Sequence, residues 1–338
     1  MRTSFSILEF TRDYGLRLLI LLGVVVAFLI VSPGFRSPSS LYGLLEQLAF
    51  IGIVAAGLAV TMIAGELDLS VASMAAVAGV VAIHAAQYGL VVALLAGTAV
   101  GIGLGLLQGY AIAKLGINSL VFTAGSLVLL RGLAYILSHD APIVLKDFTV
   151  SDVFHERWGV FSLASVIAIV LLVALGVFLA VTRPGRNIYA IGGARTEAIA
   201  AGVPPKRSLV ISFGFSGGFA ALAGTMACLK GGSAAPESFP ELMLLAVSAA
   251  LIGGIGLYGG VGNIWHVLIG VGIAGSITVG MSTIAGPSYM RNLVLGSLLI
   301  LLLLADLALD RAIVRNRFAK LKRAASGTPP AKQNLVPV

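Results

Sequence analysis

Charge is what this sequence has least of. Asp, Glu, Lys and Arg make up 11% of its 338 residues, whereas a soluble domain carries about 25%. A chain so poor in charge cannot cover itself with a water-compatible surface, which excludes a soluble globular protein. Cysteine is nearly absent too. Cys228 stands alone inside an apolar run, so no disulfide framework and no cysteine metal site can form within the chain. His84, His139, His155 and His266 show no metal-ligand spacing and read as loop or packing histidines. No G-x-x-x-x-G-K-[ST] occurs, so the chain has no phosphate loop with which to hydrolyse ATP. Nor does any nucleophile–base pair assemble along it, which argues against an intramembrane enzyme.

What is present is hydrophobicity: 58% of residues are apolar and the mean hydropathy is +1.03. Apolar runs over residues 16–31, 44–64, 69–86, 90–113, 119–137, 161–182, 209–229, 242–258, 263–284 and 292–309 are too long and continuous for barrel strands. They predict an all-α fold, a polytopic transmembrane bundle of about eight to ten helical spans. The runs at 69–86 and 242–258 are short enough to be broken or re-entrant. Arg2, Arg12 and Arg17 precede the first run as in a signal peptide, but no small-residue cleavage site follows Val31, so that run is read as a helix. The net charge of +8 would suggest nucleic acid in a soluble protein. Here the basic residues gather in a few loops and the tail, which fits membrane orientation and no nucleic acid.

Charge asymmetry sets that orientation. In the segment 183–208, Arg183, Arg186, Arg195, Lys206 and Arg207 are opposed only by Glu197. After Asp310 the tail carries Arg311, Arg315, Arg317, Lys320, Lys322, Arg323 and Lys332 with no acid. The long connection 138–160 holds Asp140, Asp147, Asp152 and Glu156 against Lys146 and Arg157. Basic loops face the cytoplasm, so both termini and the 183–208 loop are expected inside. Residues 1–310 then form the transmembrane domain, and 311–338 a basic cytoplasmic tail whose Pro- and Ser-containing end is expected to be disordered.

Four features stand out. Gly65-Glu66-Leu67-Asp68-Leu69-Ser70 puts two carboxylates between apolar runs, where they must be wet, capped or paired. Asp68 or Ser70 can cap the helix that follows, the favoured reading, and Glu66, Asp68 and Ser70 can instead line a polar translocation pathway, since irregular backbone at membrane depth is tolerated beside a cavity. Gly97, Gly101, Gly105 and Gly109 recur every fourth residue and lay a smooth groove for helix packing, repeated once at Gly214 and Gly218; simple tolerance of glycine is the alternative. A literal G-x-G-x-x-G runs from Gly254 to Gly259, but with no strand before it and no acid about 20 residues on it reads as a tight turn, not a dinucleotide site. Arg131 sits within an apolar run and needs a partner such as Glu46 or Asp306. In the 183–208 segment, good helix formers over 194–201 end at Gly202 and Pro204-Pro205, predicting a short helix outside the membrane, either a solvated connector or a docking element.

These residues carry a resemblance. Gly65, Asp68, Leu69, Ser70 and Val71 match a Gly-x-x-Asp-Leu-Ser-Val-Gly segment, with Ala72 in place of the last glycine. Gly185, Arg186, Tyr189, Ala190, Ile191, Gly192, Gly193, Ala198, Gly202 and Val203 follow a Gly-Arg-x-x-Tyr-Ala-Ile-Gly-Gly pattern and its sequel. Gly253-Gly254 and Leu257 to Gly262 resemble its glycine turn, while Trp265-His266 and Met243-Leu244-Leu245 depart from it. The chain thus resembles, over about residues 15–310, the permease subunits of bacterial ABC importers for ribose and related sugars, a family that includes autoinducer-2 permeases. The resemblance implies a multi-pass protein of the bacterial inner membrane, paired with a second permease subunit (a copy or a paralogue). It further implies two cytoplasmic ATPase subunits and a periplasmic sugar-binding protein as partners. ATP and Mg would be bound on the ATPase, with no cofactor or metal on this chain. Arg195, Glu197, Ala198, Gly202 and Val203 would then lie in or beside the coupling helix. A proton- or sodium-coupled carrier using Glu66, Asp68 and Arg131 is the competing expectation.

Overall fold

The computed structural model describes residues 7–304 apart from 285, 286, 288 and 303, with side chains from Tyr14 onward. The chain divides into two units, Met1–Leu295 and Gly296–Val338, and the elements discussed below belong to the first. In order they are α1 (Ile7–Val31), α2 (Pro38–Gln47), α3 (Ile53–Ile63), α4 (Val71–Ala85), α5 (Leu90–Leu115), α6 (Ser119–Ser138), α7 (Thr149–His155), α8 (Leu163–Val181), α9 (Arg183–Gly193), α10 (Arg195–Ala200), α11 (Pro205–Gly231), α12 (Leu242–Gly253) and α13 (Ile264–Thr283). A π-helical turn, Leu48–Gly52, joins α2 and α3 into one path. The one small sheet among the described residues pairs Ile143–Val144 with Ser233–Ala234, antiparallel. Among the described residues eight helical segments are long and apolar enough to cross a membrane, and α12 and Tyr289–Leu302 are shorter apolar helices.

Several boundaries differ from the expected ones for local reasons. The second span begins at Pro38 rather than at 44, because Ser37 accepts a hydrogen bond from the Ser40 amide and Pro38 is preset for a first helical turn. The run 242–258 is helical only to Gly253; Gly254 takes φ +104° and closes it. The segment 183–208 is not a loop with one short helix but is helical almost throughout, since Thr182 accepts from the Gly185 amide and starts α9 at once. The run 292–309 is described to Leu302, and the 311–338 tail, like Asp306, lies outside the described residues.

The core is built around α11, which packs chiefly on α5, α4 and α3. Gly97, Gly101, Gly105 and Gly109 are buried along the α5 face that meets it. A side chain at Gly101 would run into Ala221 and the Gly217 carbonyl, one at Gly105 into the Phe213 carbonyl, and one at Gly109 into Val210 at 2.8 Å. In return a side chain at Gly214 or Gly218 would meet Leu106 at 2.8 Å or Ile102 at 2.7 Å. In a bilayer no hydrophobic force separates helix from lipid, so this backbone-close contact supplies the dispersion that holds the pair together.

Candidate functional site

The element outside the spans is built from its caps. Ala194, extended at φ −154°, breaks α9 from α10. At the far end of α10, Gly202 adopts φ +82°, its amide donates to the Ile199 carbonyl, and the Val203 amide donates to Ala198, both at 2.9 Å. These two bonds form a Schellman closure, which requires a residue free to be left-handed at 202. Ala198 is buried and seats the short helix, while Arg195, Thr196, Glu197, Ile199 and Ala200 are exposed, Ile199 at 49%. Pro205 then opens α11.

Three turns interlock beneath α10, backbone on backbone. The Gly260 amide donates to the Ile63 carbonyl at 2.8 Å. Gly192, at the end of α9, leaves no room for a side chain against Ile63 and Gly260. Gly259, at φ +84°, would place one 2.8 Å from Gly65. The hydroxyl of Tyr189 donates to the Gly262 carbonyl at 2.8 Å. The G-x-G-x-x-G stretch is therefore a tight turn between α12 and α13, its glycines needed for left-handed backbone and close approach.

The structure separates the two carboxylates of the α3–α4 turn. Glu66 pairs with Arg195 at 2.8 Å, their side chains 11% and 50% exposed, so Glu66 belongs with α10. Asp68 points the other way and is fully buried. One of its oxygens accepts from the Ser70 amide at 2.9 Å and the Ser70 hydroxyl at 2.6 Å; the other accepts from Ser216 of α11 at 2.7 Å. Gln108 of α5 lies 3.2 Å from the Ser70 hydroxyl, and the Leu69 amide donates to Thr123 of α6 at 3.0 Å. Ser70 occupies the position before α4 but makes no side-chain cap. Asp68 thus ties α4, α5 and α11 together at the turn. Because the Glu66–Arg195 pair is half in solvent, reversing either charge alone should lower stability by under about 1 kcal/mol. Glu66→Arg combined with Arg195→Glu should recover it, as read by thermal melting of the purified protein.

Arg131 and Glu46 do not meet as expected. Glu46 is held by Lys230 of α11 and by Ser162, and Lys230 also donates to Tyr42 at 3.1 Å. The Arg157 guanidinium lies 4.0 Å over the Tyr42 ring. The reason is depth: Lys230 lies on the last turn of α11, the end away from α10, and can reach Glu46, which lies only about two turns in from Pro38 on the Pro38–Ile63 path. Sequence reasoning passes over Lys230 because it looks like an ordinary terminal cation; its isolation, with no other lysine or arginine between Arg207 and Arg291, was the available signal. Among the described residues Arg131 Nε has no hydrogen-bond partner. His84 and His155 sit 3.0 Å from the carbonyls of Leu137 and Lys230, and His266 lies 2.9 Å from the Asn263 side chain. No group of three or more potential metal ligands occurs among the described residues.

Fold and site together define a class, a multi-pass membrane protein with one compact helical element displayed at one end of its bundle. The chain belongs to the family described as branched-chain amino acid transport system / permease component, which it matches over residues 40–303. It is 33% identical over 313 residues to the L-arabinose transport system permease protein of Escherichia coli (strain K12), covering 92% of this chain and 94% of that one. A similar match, 33% over 293 residues, covering 84% of this chain and 86% of the other, is to the L-arabinose ABC transporter permease protein of Azospirillum brasilense. The ribose import permease protein of Escherichia coli (strain K12) is 30% identical over 296 residues, 86% of this chain and 91% of the relative. No solved structure matches. The chain is accordingly a transport permease subunit and not an enzyme.

Proposed function

We propose that this chain is the membrane-spanning subunit of a bacterial inner-membrane ABC importer for an aldose of the arabinose, ribose or allose kind, the substrates named for its relatives. Its partners are two ATPase subunits, a second permease subunit and a periplasmic sugar-binding protein. ATP and Mg act on the ATPase, and this chain carries no cofactor. The excess of basic residues in 183–208 and after 310 supports a cytoplasmic position for α9, α10 and both termini.

The observation that carries the reading is α10: a capped helix, seated by Ala198, that exposes Glu197 and Ile199 and is bound at its base to two span-to-span turns. A partner that grips α10 moves Arg195 and the α9 end, and with them the Ile63 and Gly260 turns at the feet of α3 and α13. ATP-driven closure of the partner thereby selects between two arrangements of the spans, which is alternating access. An ion-coupled carrier built on Glu66, Asp68 and Arg131 finds less support, because Glu66 is engaged by Arg195 and Asp68 by three donors.

The test uses Gly202→Trp and Glu197→Arg in the tagged chain. Space around Gly202 is open, so the tryptophan costs the isolated chain only the left-handed backbone, about 1–2 kcal/mol. Both variants should insert normally, lose ATPase subunits on co-purification and fail in uptake. Wild-type uptake by Gly202→Trp would refute docking at α10.

A further inference from the structure

At the end of the bundle away from α10, a cavity of about 570 Å³ opens between α2 and the last turns of α13. Glu46 on its wall is 17 residues up the α2–α3 path from Ile63, about 25 Å from the α10 junction. Nothing in the coupling reading uses it. Gly43 keeps the two helices close here: a methyl group added to it would sit 3.3 Å from Val279.

The wall has an unusual hydrogen-bonding balance. The hydroxyls of Ser40, Thr278, Ser282 and Thr283 donate to backbone carbonyls of Gly34, Ala274, Val279 and Gly280, at 2.9, 2.9, 2.7 and 2.7 Å. Their protons are spent, so what they offer to the cavity is lone pairs. Glu46 adds a carboxylate fixed from behind by Lys230 and Ser162, and each of its oxygens retains a further acceptor site. Gln47 contributes an amide, and Ser39 stands exposed at the rim. No lysine or arginine lines the space.

This acceptor-rich wall selects its ligand. An anion meets a carboxylate and lone pairs. A metal cation finds a single carboxylate, with no second acid, histidine or cysteine among the described residues that line the space. An apolar solute would cover Glu46, the Gln47 amide and the Ser39 hydroxyl without replacing their water, at a cost of about 1–3 kcal/mol per polar group. A neutral molecule bearing many O–H donors satisfies the wall, and the volume lies within the roughly 300–1,000 Å³ of small-molecule sites. We propose that this cavity is a binding site for a neutral polyhydroxylated solute, which on the reading above is the transported aldose.

The full importer tests it, in nanodiscs for labelling and in proteoliposomes for uptake. Ser39→Cys supplies a thiol at the rim, and the buried Cys228 makes the unsubstituted chain the background for a membrane-impermeant maleimide. L-arabinose, D-ribose or D-allose at millimolar concentration should slow labelling at position 39 at least about threefold, the slowing expected when the sugar is at about twice its Kd, while L-leucine should not. Gln47→Leu should reduce initial aldose uptake about tenfold, equivalent to about 1.4 kcal/mol, with assembly checked by co-purified ATPase. Equal labelling rates with and without every aldose, together with unchanged uptake by Gln47→Leu, would overturn the site. If the unsubstituted complex takes up none of the three aldoses, the transport reading fails instead. Labelling still judges the cavity in that case, since protection does not depend on transport.

Discussion

Gly101→Leu should leave almost no folded protein in the membrane, whereas Gly103→Leu, two residues along the same helix, should accumulate as the wild type does. Both positions are glycines in the middle of α5. At Gly101 even a methyl group would collide with Ala221 and the Gly217 carbonyl of α11; at Gly103 nothing lies within 4 Å. Overpacking a well-fitted contact costs about 1–3 kcal/mol for an added methylene or two, and a leucine against backbone cannot be relieved by a rotamer change. The helices must separate, and α11 is the element on which α3, α4 and α5 all pack. At Gly103 the leucine meets no other part of the chain and gains helix propensity, up to about 1 kcal/mol. Fluorescence-detected size-exclusion profiles of the two variants compare them directly. Equal profiles would mean that the glycine ladder is tolerated rather than required.

The second large effect is expected at Asp68. Asp68→Ala removes the acceptor for the Ser70 amide, the Ser70 hydroxyl and the Ser216 hydroxyl in a fully buried place. Each stranded donor costs about 1–3 kcal/mol, so a loss of at least about 2 kcal/mol follows even if one hydroxyl finds a new partner. Asp68→Asn keeps one carbonyl oxygen for Ser70, and the Ser216 hydroxyl can turn to accept from the new amide, so its loss should be less than half as large. Thermal melting in detergent ranks the pair. Should alanine and asparagine prove equally mild, Asp68 would not be the tie between α4 and α11. Uptake would then be the measurement that asks for another role.

Much of this was legible in the residues themselves. The four-residue spacing of Gly97 to Gly109 marks one face of a helix whatever it packs on, and Gly202 before two prolines marks a helix end. The family pattern at Tyr189, Gly192 and Gly193 was also readable, though not its reason. That reason is the close approach of Ile63 and of the Gly260–Gly262 turn, two segments far from α9 in the chain. Periodicity carries no information on which distant backbone comes within reach of a glycine.

The carboxylates show the same division. Sequence alone put Glu66 and Asp68 together, two residues apart, and treated them as a unit. In the turn after α3 the backbone sends them to opposite sides, one to Arg195 and one to Ser216. Arg131 had two candidate partners by placement in apolar runs, Glu46 and Asp306, and Glu46 is taken by Lys230 and Ser162 instead.

The amino-acid sequence by itself determined that this protein is a many-span helical membrane protein with a short capped helix between its sixth and seventh long spans. Those properties depend on composition, local periodicity and capping, each confined to neighbouring residues. Tertiary structure alone decided that α5 and α11 pack through glycine, that Glu66 serves α10 while Asp68 serves the core, and that an acceptor-lined cavity lies between α2 and α13. Such pairings are set by which helix faces meet, and in a chain where nearly every face is apolar the sequence pattern cannot distinguish one face from another.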